Sequence, residues 1–124
     1  MRQKVVAFLK DRDAVSVENP AYPGTPDVNY VEGWIELKWE REFPKKADSV
    51  FRVEHFSPQQ RVWLHRRHRK GGKCWLLLQV GKEWMLFDGM TAFEIVGKVC
   101  KQELINKAVW YSKNGLTEEM KNYL

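Results

Sequence analysis

Residues 34–39, WIELKW, decide the fold of this chain. Positions 35, 37 and 39 are apolar, and the positions between them are Glu36 and Lys38. Because strand residues two apart point to the same face of a sheet, this alternation predicts a strand on which Glu36 and Lys38 project side by side. The preceding residues 28–31, VNYV, are also β-formers, and Glu32-Gly33 is typical of a tight turn. We therefore predict a β-hairpin that carries an acid and a lysine on one face.

The sequence around this hairpin predicts short helices and further strands. Three prolines and a glycine in residues 19–26 exclude regular structure there, and the charged residues 40–54 predict an exposed loop. We expect helices over residues 2–10, over residues 58–70 and from about Thr91, and strands over residues 14–18, 74–80 and 83–87. The resulting order is α-β-β-β-α-β-β-α. It predicts an α/β fold, a mixed β-sheet flanked by helices in one domain over residues 1–124.

Composition restricts the class of protein. The 124 residues are 44% hydrophobic and 30% charged, and the formal net charge is +5. This balance is typical of soluble globular proteins, and a basic charge favours anionic partners such as nucleic acid. No apolar run approaches the roughly 18 residues of a transmembrane helix, and no signal peptide is apparent, so we expect a cytoplasmic protein without a membrane partner. Cys74 and Cys100 are far apart and match no C-x-x-C or other metal-binding spacing. A disulfide between them is possible, but two buried free thiols in a reducing compartment are expected.

Two carboxylates and an amine converge in the predicted hairpin. The turn folds the first strand back, which brings Asp27 towards the far end of the strand that carries Glu36 and Lys38. Carboxylate oxygens suit a hard cation such as Mg²⁺, and a lysine can orient water or neutralise charge on a phosphate. The alternative is a solvent-facing Glu–Lys pair with only a small effect on stability.

A helix start follows at Ser57-Pro58-Gln59-Gln60. Serine suits the N-cap, proline suits the first helical position, and Gln60 has the spacing of a capping box. Gln60 also shares a helix face with Trp63 and Leu64, which predicts that it points towards the sheet. Capping and an active-site contact are both open roles for this glutamine.

The three blocks together resemble the PD-(D/E)xK nuclease superfamily. They are GTPD at residues 24–27, WIELK at residues 34–38 and SPQQ at residues 57–60. More narrowly, they are similar to the virus-type replication-repair nucleases (VRR-NUC), many of which are stand-alone phage proteins. The resemblance covers core motifs in residues 14–89 and leaves a C-terminal helical region, residues 91–124. It implies a restriction-endonuclease-like core and a Mg²⁺- or Mn²⁺-dependent DNA endonuclease that cuts branched DNA, either Holliday junctions or flaps. A phage-encoded member would act in the host cytoplasm.

The resemblance also implies roles for individual residues. Asp27 and Glu36 would be metal ligands together with the backbone carbonyl of Leu37, Lys38 would be the catalytic lysine, and Gln60 would support the site. Many family members have a glutamate on the first helix, whereas residues 2–10 contain no acid. Glu18 is the best available third carboxylate, and without it single-metal hydrolysis is the expected chemistry.

Basic residues cluster after this helix start, with five Lys or Arg in residues 65–73. A solvated helix end explains one or two of them, since cations complement the helix dipole, but phosphate contacts explain the density better. The candidate DNA-binding residues are Arg61, Arg66, Arg67, Arg69, Lys70 and Lys73, with Lys45 and Lys46 from the preceding loop.

Six tryptophans are unusual in a chain of this length, and core packing is expected for most of them. Trp110 and Tyr111 are candidates for a dimer surface, and a two-fold homodimer would place two active sites on opposite DNA strands. Two other functions remain open. One is a non-catalytic DNA-binding module on a nuclease-like fold, and the other is a protein-assembly subunit with tryptophan-rich contact faces.

Overall fold

The computed structural model describes all residues, 1–124, and contains one six-stranded sheet. The strand order in the sheet follows the order in the chain, and only β3 and β4 pair in parallel. The strands are β1 (Val15–Ser16), β2 (Val28–Tyr30), β3 (Gly33–Glu40), β4 (Lys73–Val80), β5 (Glu83–Asp88) and β6 (Trp110–Ser112). The sequence-based prediction of a mixed α/β sheet is therefore confirmed.

Four α-helices accompany the sheet: α1 (Arg2–Phe8), α2 (Pro58–Arg69), α3 (Gly89–Ile95) and α4 (Lys101–Lys107). Single 3-10 helices follow at Lys10–Arg12 and Glu118–Asn122. Helix α2 lies in the connection between β3 and β4, because parallel neighbours cannot be joined by a tight turn. None of these helices combines the length and the apolar character that crossing a membrane requires.

Hydrophobic side chains form two cores, one on each face of the sheet. One core packs against α2, α3 and α4, and its sheet residues include Leu76 and Leu78. The other packs against α1 and the C-terminal residues, and it includes Ile35, Leu37 and Leu77. Strand β3 thus follows the predicted alternation, with Ile35 and Leu37 towards α1 and with Glu36 and Lys38 towards α2.

The segment between β3 and α2 differs from the exposed loop expected over residues 40–54. Its charged residues are exposed, but Phe51 and Val53 are buried in the core on the α2 side. The Phe51 N–H donates to the carbonyl of Val99 at 2.8 Å, and Val50 forms an isolated bridge with Cys100. Two apolar residues among charges are enough to fix the segment across the sheet.

The C-terminal region contains two short helices, α3 and α4, in place of the single helix expected from about Thr91. Helix α3 begins at Gly89, since the Asp88 side chain accepts from the Thr91 N–H at 2.8 Å and caps it. A turn over residues 96–98, with Gly97 at φ +86° and the Lys98 N–H donating to the Ile95 carbonyl, separates it from α4. The sequence prediction also missed β6, which pairs with β5.

Most of the tryptophans lie in the cores as expected. Trp84 and Trp63 are buried, whereas Trp39 is 57% exposed. Trp110 is buried as well, so its assignment to a dimer surface is wrong: its ring fills the core beside β5. Both cysteines are free thiols, as the spacing predicts.

Gly24 is the point where the proline-rich loop meets α2. Its φ is +93°, and an added Cβ would lie 2.5 Å from the Gln59 carbonyl oxygen. Gly71, after α2, has a similar φ of +89° but open space around it. Comparing substitutions at Gly24 and Gly71 therefore separates the cost of a positive φ from the cost of a steric clash.

We expect Gly24→Ala to lower the free energy of unfolding more than Gly71→Ala does. Each substitution places a side chain at positive φ, which costs on the order of 1 kcal/mol, and only Gly24→Ala adds a backbone clash. Urea denaturation of both variants measures the difference. Equal destabilisation would mean that the loop moves away from α2 without cost.

Candidate functional site

Strand β3 brings Glu36 and Lys38 together on its α2-facing side. The Lys38 Nζ lies 3.1 Å from the Glu36 Oε2. Neither side chain is solvated: Glu36 is 1% exposed and Lys38 is 8% exposed. Their side-by-side placement is confirmed, and their burial excludes the alternative of a solvent-facing pair.

The segment before α2 holds Lys38 from the other side. The Lys38 Nζ donates to the His55 carbonyl at 2.8 Å, and the Phe56 ring lies 5.8 Å from the same nitrogen. His55 has φ +64°, a left-handed conformation that is uncommon for residues other than glycine. This contact could not be predicted from residue patterns, because it depends on how the loop packs against the sheet.

Asp27 completes the site from the end of β2. Val28 pairs with Ile35, so Asp27 lies just beyond the paired residues and is level with Glu36. Its Oδ2 accepts from the Leu37 N–H at 2.9 Å. Since the N–H and C=O of one strand residue point to the same side, the Leu37 carbonyl is also directed towards this gap.

Helix α1 contributes Arg2, which the sequence prediction missed. The Arg2 guanidinium lies 2.7 Å from the Asp27 Oδ1 and 3.4 Å from the Glu18 Oε1. The first helix therefore supplies a cation where the resembled family has a glutamate. No residue pattern could have revealed this contact, which depends on how α1 packs across the sheet.

The assignment of Glu18 as a third carboxylate needs correction. Glu18 lies beyond the short β1, its side chain is 85% exposed, and it pairs with Arg2. The structure contains no group of three or more acidic, histidine or cysteine side chains placed to share a metal ion. The carboxylates at the site are thus those of Asp27 and Glu36.

The electrostatics of Glu36 are unusual. The pKa of its carboxyl is raised from 4.5 to about 8, mainly by burial and also by the Asp27 carboxylate, while Lys38 opposes both effects. Glu36 Oε1 is buried without any hydrogen-bond partner. Unsatisfied buried oxygens are rare in folded proteins, which makes this atom a candidate ligand.

The residues present fit a hard divalent cation. The donor set is all oxygen: the Asp27 carboxylate, the partnerless oxygen of Glu36 and the carbonyl of Leu37. Mg²⁺ commonly takes one or two protein carboxylates and completes its shell with water and phosphate, so a third acid is not required. A cation here would compete with Arg2 for Asp27.

Gln60 forms the predicted capping box. Its Oε1 accepts from the Ser57 N–H at 3.0 Å, and its own N–H donates to the Ser57 Oγ at 3.2 Å. The hydrogen bond of its side chain therefore goes to Ser57 and not to Asp27, Glu36 or Lys38. A further contact to substrate or metal stays a prediction.

The candidate DNA-binding residues differ in their exposure and in their contacts with other side chains. Five of them are exposed and have no ion pair: Arg66, Arg69 and Lys70 after the helix start, and Lys45 and Lys46 in the preceding loop. Arg67 stacks 4.3 Å above the Trp63 ring, and Lys73 lies 4.0 Å from Glu32. Arg61 lies 4.2 Å above the Phe56 ring, and burial lowers its pKa. Arg61 is thus committed to packing, and the exposed residues are better placed for phosphate.

We expect Glu36→Gln to change how stability depends on pH in the metal-free protein. The unfolded carboxyl loses its proton near pH 4.5 and the folded one only near pH 8. Wild-type stability should therefore fall as pH rises from 4.5 to 8, by up to about 1.4 kcal/mol per pH unit. Glutamine cannot titrate, so Glu36→Gln should match the wild type near pH 4.5 and exceed it at pH 8.

Urea denaturation in EDTA across this pH range measures the effect. Exposed Glu94→Gln is the matched control, and it should show no comparable trend. A constant difference between wild type and Glu36→Gln from pH 4.5 to 8 would contradict the burial effect.

Comparison with known proteins adds no relative. No protein-family model matches the chain, and no curated protein sequence is similar to it. The roles given to Asp27, Glu36 and Lys38 therefore depend on their own geometry and chemistry.

Proposed function

We propose that this protein is a Mg²⁺- or Mn²⁺-dependent DNA endonuclease of the PD-(D/E)xK type. The observation that carries the proposal is the buried Glu36, whose Oε1 lacks a partner beside Lys38 and Asp27. The parallel pair β3–β4, with α2 in its connection, supports a restriction-endonuclease-like core.

In this proposal Asp27, Glu36 and the Leu37 carbonyl hold the ion. When bound, the ion supplies Lewis acidity at the phosphate and lowers the pKa of water. Glu36 must give up its proton to act as a ligand, since a carboxylate binds a cation only when ionised. Asp27 must share or release the Arg2 guanidinium at the same time.

Lys38 is the group placed to act on the reacting atoms. An ammonium has three donors, and the Glu36 carboxylate and the His55 carbonyl use two of them. The third donor is left to orient an attacking water or to stabilise charge that develops on the phosphate. Its two fixed partners limit the rotation of the side chain, so it needs little reorganisation.

The substrate we propose is branched DNA, a Holliday junction or a flap formed in replication, recombination or repair. The exposed arginines of α2 would contact the phosphate backbone without reading bases. We further propose a homodimer, in which two copies of the site would face opposite strands.

A second candidate function is a DNA-binding module without catalysis. The contact that favours it is the Arg2–Asp27 pair at 2.7 Å, which places a cation of the protein on one of the two carboxylates. DNA binding without metal-dependent cleavage would support this candidate.

We expect Lys38→Ala to abolish cleavage and to leave DNA binding nearly unchanged. Wild type and variant are incubated with linear, flapped, forked and four-way DNAs, with Mg²⁺, with Mn²⁺ or with EDTA. Lys38→Met, which keeps most of the apolar stem, tests the same loss with less disturbance of packing. Exposed Lys82→Ala is the matched control and should cut as the wild type does.

Circular dichroism establishes that the Lys38 variants fold. Normal cleavage by a folded Lys38→Met protein would remove this lysine from the mechanism. No cleavage of any DNA by the wild type with either metal would overturn the proposed activity.

We expect Arg66→Ala combined with Arg69→Ala to weaken duplex binding at all sequences. Each lost phosphate contact lowers the slope of log K against log salt by about 0.9, so the double variant should lose about 2. Fluorescence anisotropy of a labelled duplex in EDTA at several salt concentrations measures the slope.

The control for this experiment is Lys10→Ala combined with Lys107→Ala, which removes two exposed charges outside α2. An unchanged slope in the α2 variant would exclude this helix as the phosphate-contacting surface.

A further inference from the structure

A groove lies between the proline-rich loop and α2. Its central cavity of about 450 Å³ is lined by Tyr22, Trp34, Trp63, Arg66 and Arg67, which we call the aromatic–arginine groove. A neighbouring cavity of about 340 Å³ shares Trp63 and Arg66 with it, so the groove continues along the helix. Cavities of roughly 300–1,000 Å³ are the size of ligand pockets.

The floor of the groove is built from stacked rings and a guanidinium. Trp34 meets Trp63 edge to face with 5.5 Å between ring centroids, and the Arg67 guanidinium lies 4.3 Å over the Trp63 ring. An arginine plane held on a tryptophan is itself a surface on which a flat ring can stack. Arg66 is exposed at the rim and carries a second positive charge.

Tyr22 forms the opposite wall, and this residue is 69% exposed. Its backbone is nonetheless fixed: the Tyr22 carbonyl accepts from the Thr25 hydroxyl at 2.8 Å and from the Thr25 N–H at 3.3 Å. The close approach of Gly24 to Gln59 holds the same loop against α2. The structure thus holds the backbone of Tyr22 beside α2 and leaves its ring exposed without a stacking partner.

The groove adjoins the candidate site. Trp34, Glu36 and Lys38 alternate along β3 and share one face, so Trp34 lies about 7 Å along the strand from Glu36 at roughly 3.3 Å per residue. Thr25, which also lines the groove, is two residues before Asp27. A strand that occupied the groove would therefore lie next to the candidate site, whose Glu36 and Lys38 are buried and do not line the groove.

Aromatic rings combined with arginines are the chemistry that binds unpaired nucleotides. Bases in a duplex stack on one another and hide their faces, whereas unpaired bases can stack on aromatic rings and guanidinium planes. We infer that the aromatic–arginine groove binds an unpaired DNA strand, with a base against Tyr22 and a phosphate at Arg66. This inference deepens the proposed nuclease function and rests on it, because it assigns the groove to the unpaired part of the substrate.

The test measures binding of a fluorescent oligothymidylate to the full chain in EDTA, where no cleavage occurs. We expect Tyr22→Ala to weaken binding about five- to hundredfold, the loss that follows removal of one base-stacking ring, and Tyr22→Phe to bind as the wild type does. Arg66→Ala should lower the salt slope by about 0.7, the single-strand value for one phosphate.

Matched controls remove the same groups outside the groove. Tyr123→Ala removes another exposed tyrosine, Arg41→Ala removes another exposed arginine, and neither should change binding of the oligothymidylate. Tyr22→Ala should also leave duplex binding unchanged. The inference is overturned if the wild type does not bind the oligothymidylate, or if folded Tyr22→Ala binds it as tightly as the wild type.

Failure of this inference is distinguishable from failure of the proposed activity. If the protein binds the unpaired strand through Tyr22 but cuts no DNA with Mg²⁺ or Mn²⁺, the inference about the groove stands and the proposed nuclease activity is overturned. If the protein cuts DNA but does not bind the oligothymidylate, the proposed nuclease activity stands and the inference about the groove is overturned.

Discussion

The burial of Glu36 in the middle of a sheet is the constraint on which the site depends. A carboxyl group at 1% exposure cannot be solvated, so its charge must be balanced by neighbours or suppressed by a proton. Lys38 supplies part of that balance, and Lys38 in turn needs the His55 carbonyl because it is buried as well. The loop before α2 must therefore cross the sheet at one particular place. Its buried Phe51 and Val53 keep it there.

The charge of Asp27, at the border of the site, is also balanced by neighbouring groups. One of its oxygens is held by the Leu37 N–H, and the other is paired with Arg2. The Asp27 carboxylate is thus already oriented in the metal-free protein. A metal ion that bound it would have to displace Arg2 or share the carboxylate with Arg2. In the proposed metal site, repulsion between Arg2 and a divalent ion would weaken metal binding, whereas the fixed orientation of Asp27 would strengthen it. The balance between the two effects would set the metal affinity.

Much of the hairpin was predictable because its signals are local. The alternation in WIELKW, the tight turn before it and the capping box at Ser57 each depend on neighbouring residues, and all three are found. The turn lies at Val31-Glu32, one residue earlier than predicted, because Gly33 is the first residue of β3 and pairs with Tyr30. The contacts of Arg2 and His55 were not predictable, because they join elements that are distant in sequence. Strand β6 was missed because three residues carry too little periodicity, and its pairing with β5 defines it. The placement of Trp110 was wrong for the same reason: its burial follows from that pairing.

The sheet ends on both sides in very short strands, two residues in β1 and three in β6. Long unpaired outer strands offer a row of free N–H and C=O groups to a second chain, and short ones leave almost none. Two copies of this protein therefore have few free main-chain groups through which their sheets could join by hydrogen bonds. Any self-association has to be built from side chains, and its specificity is then open to change by single surface substitutions.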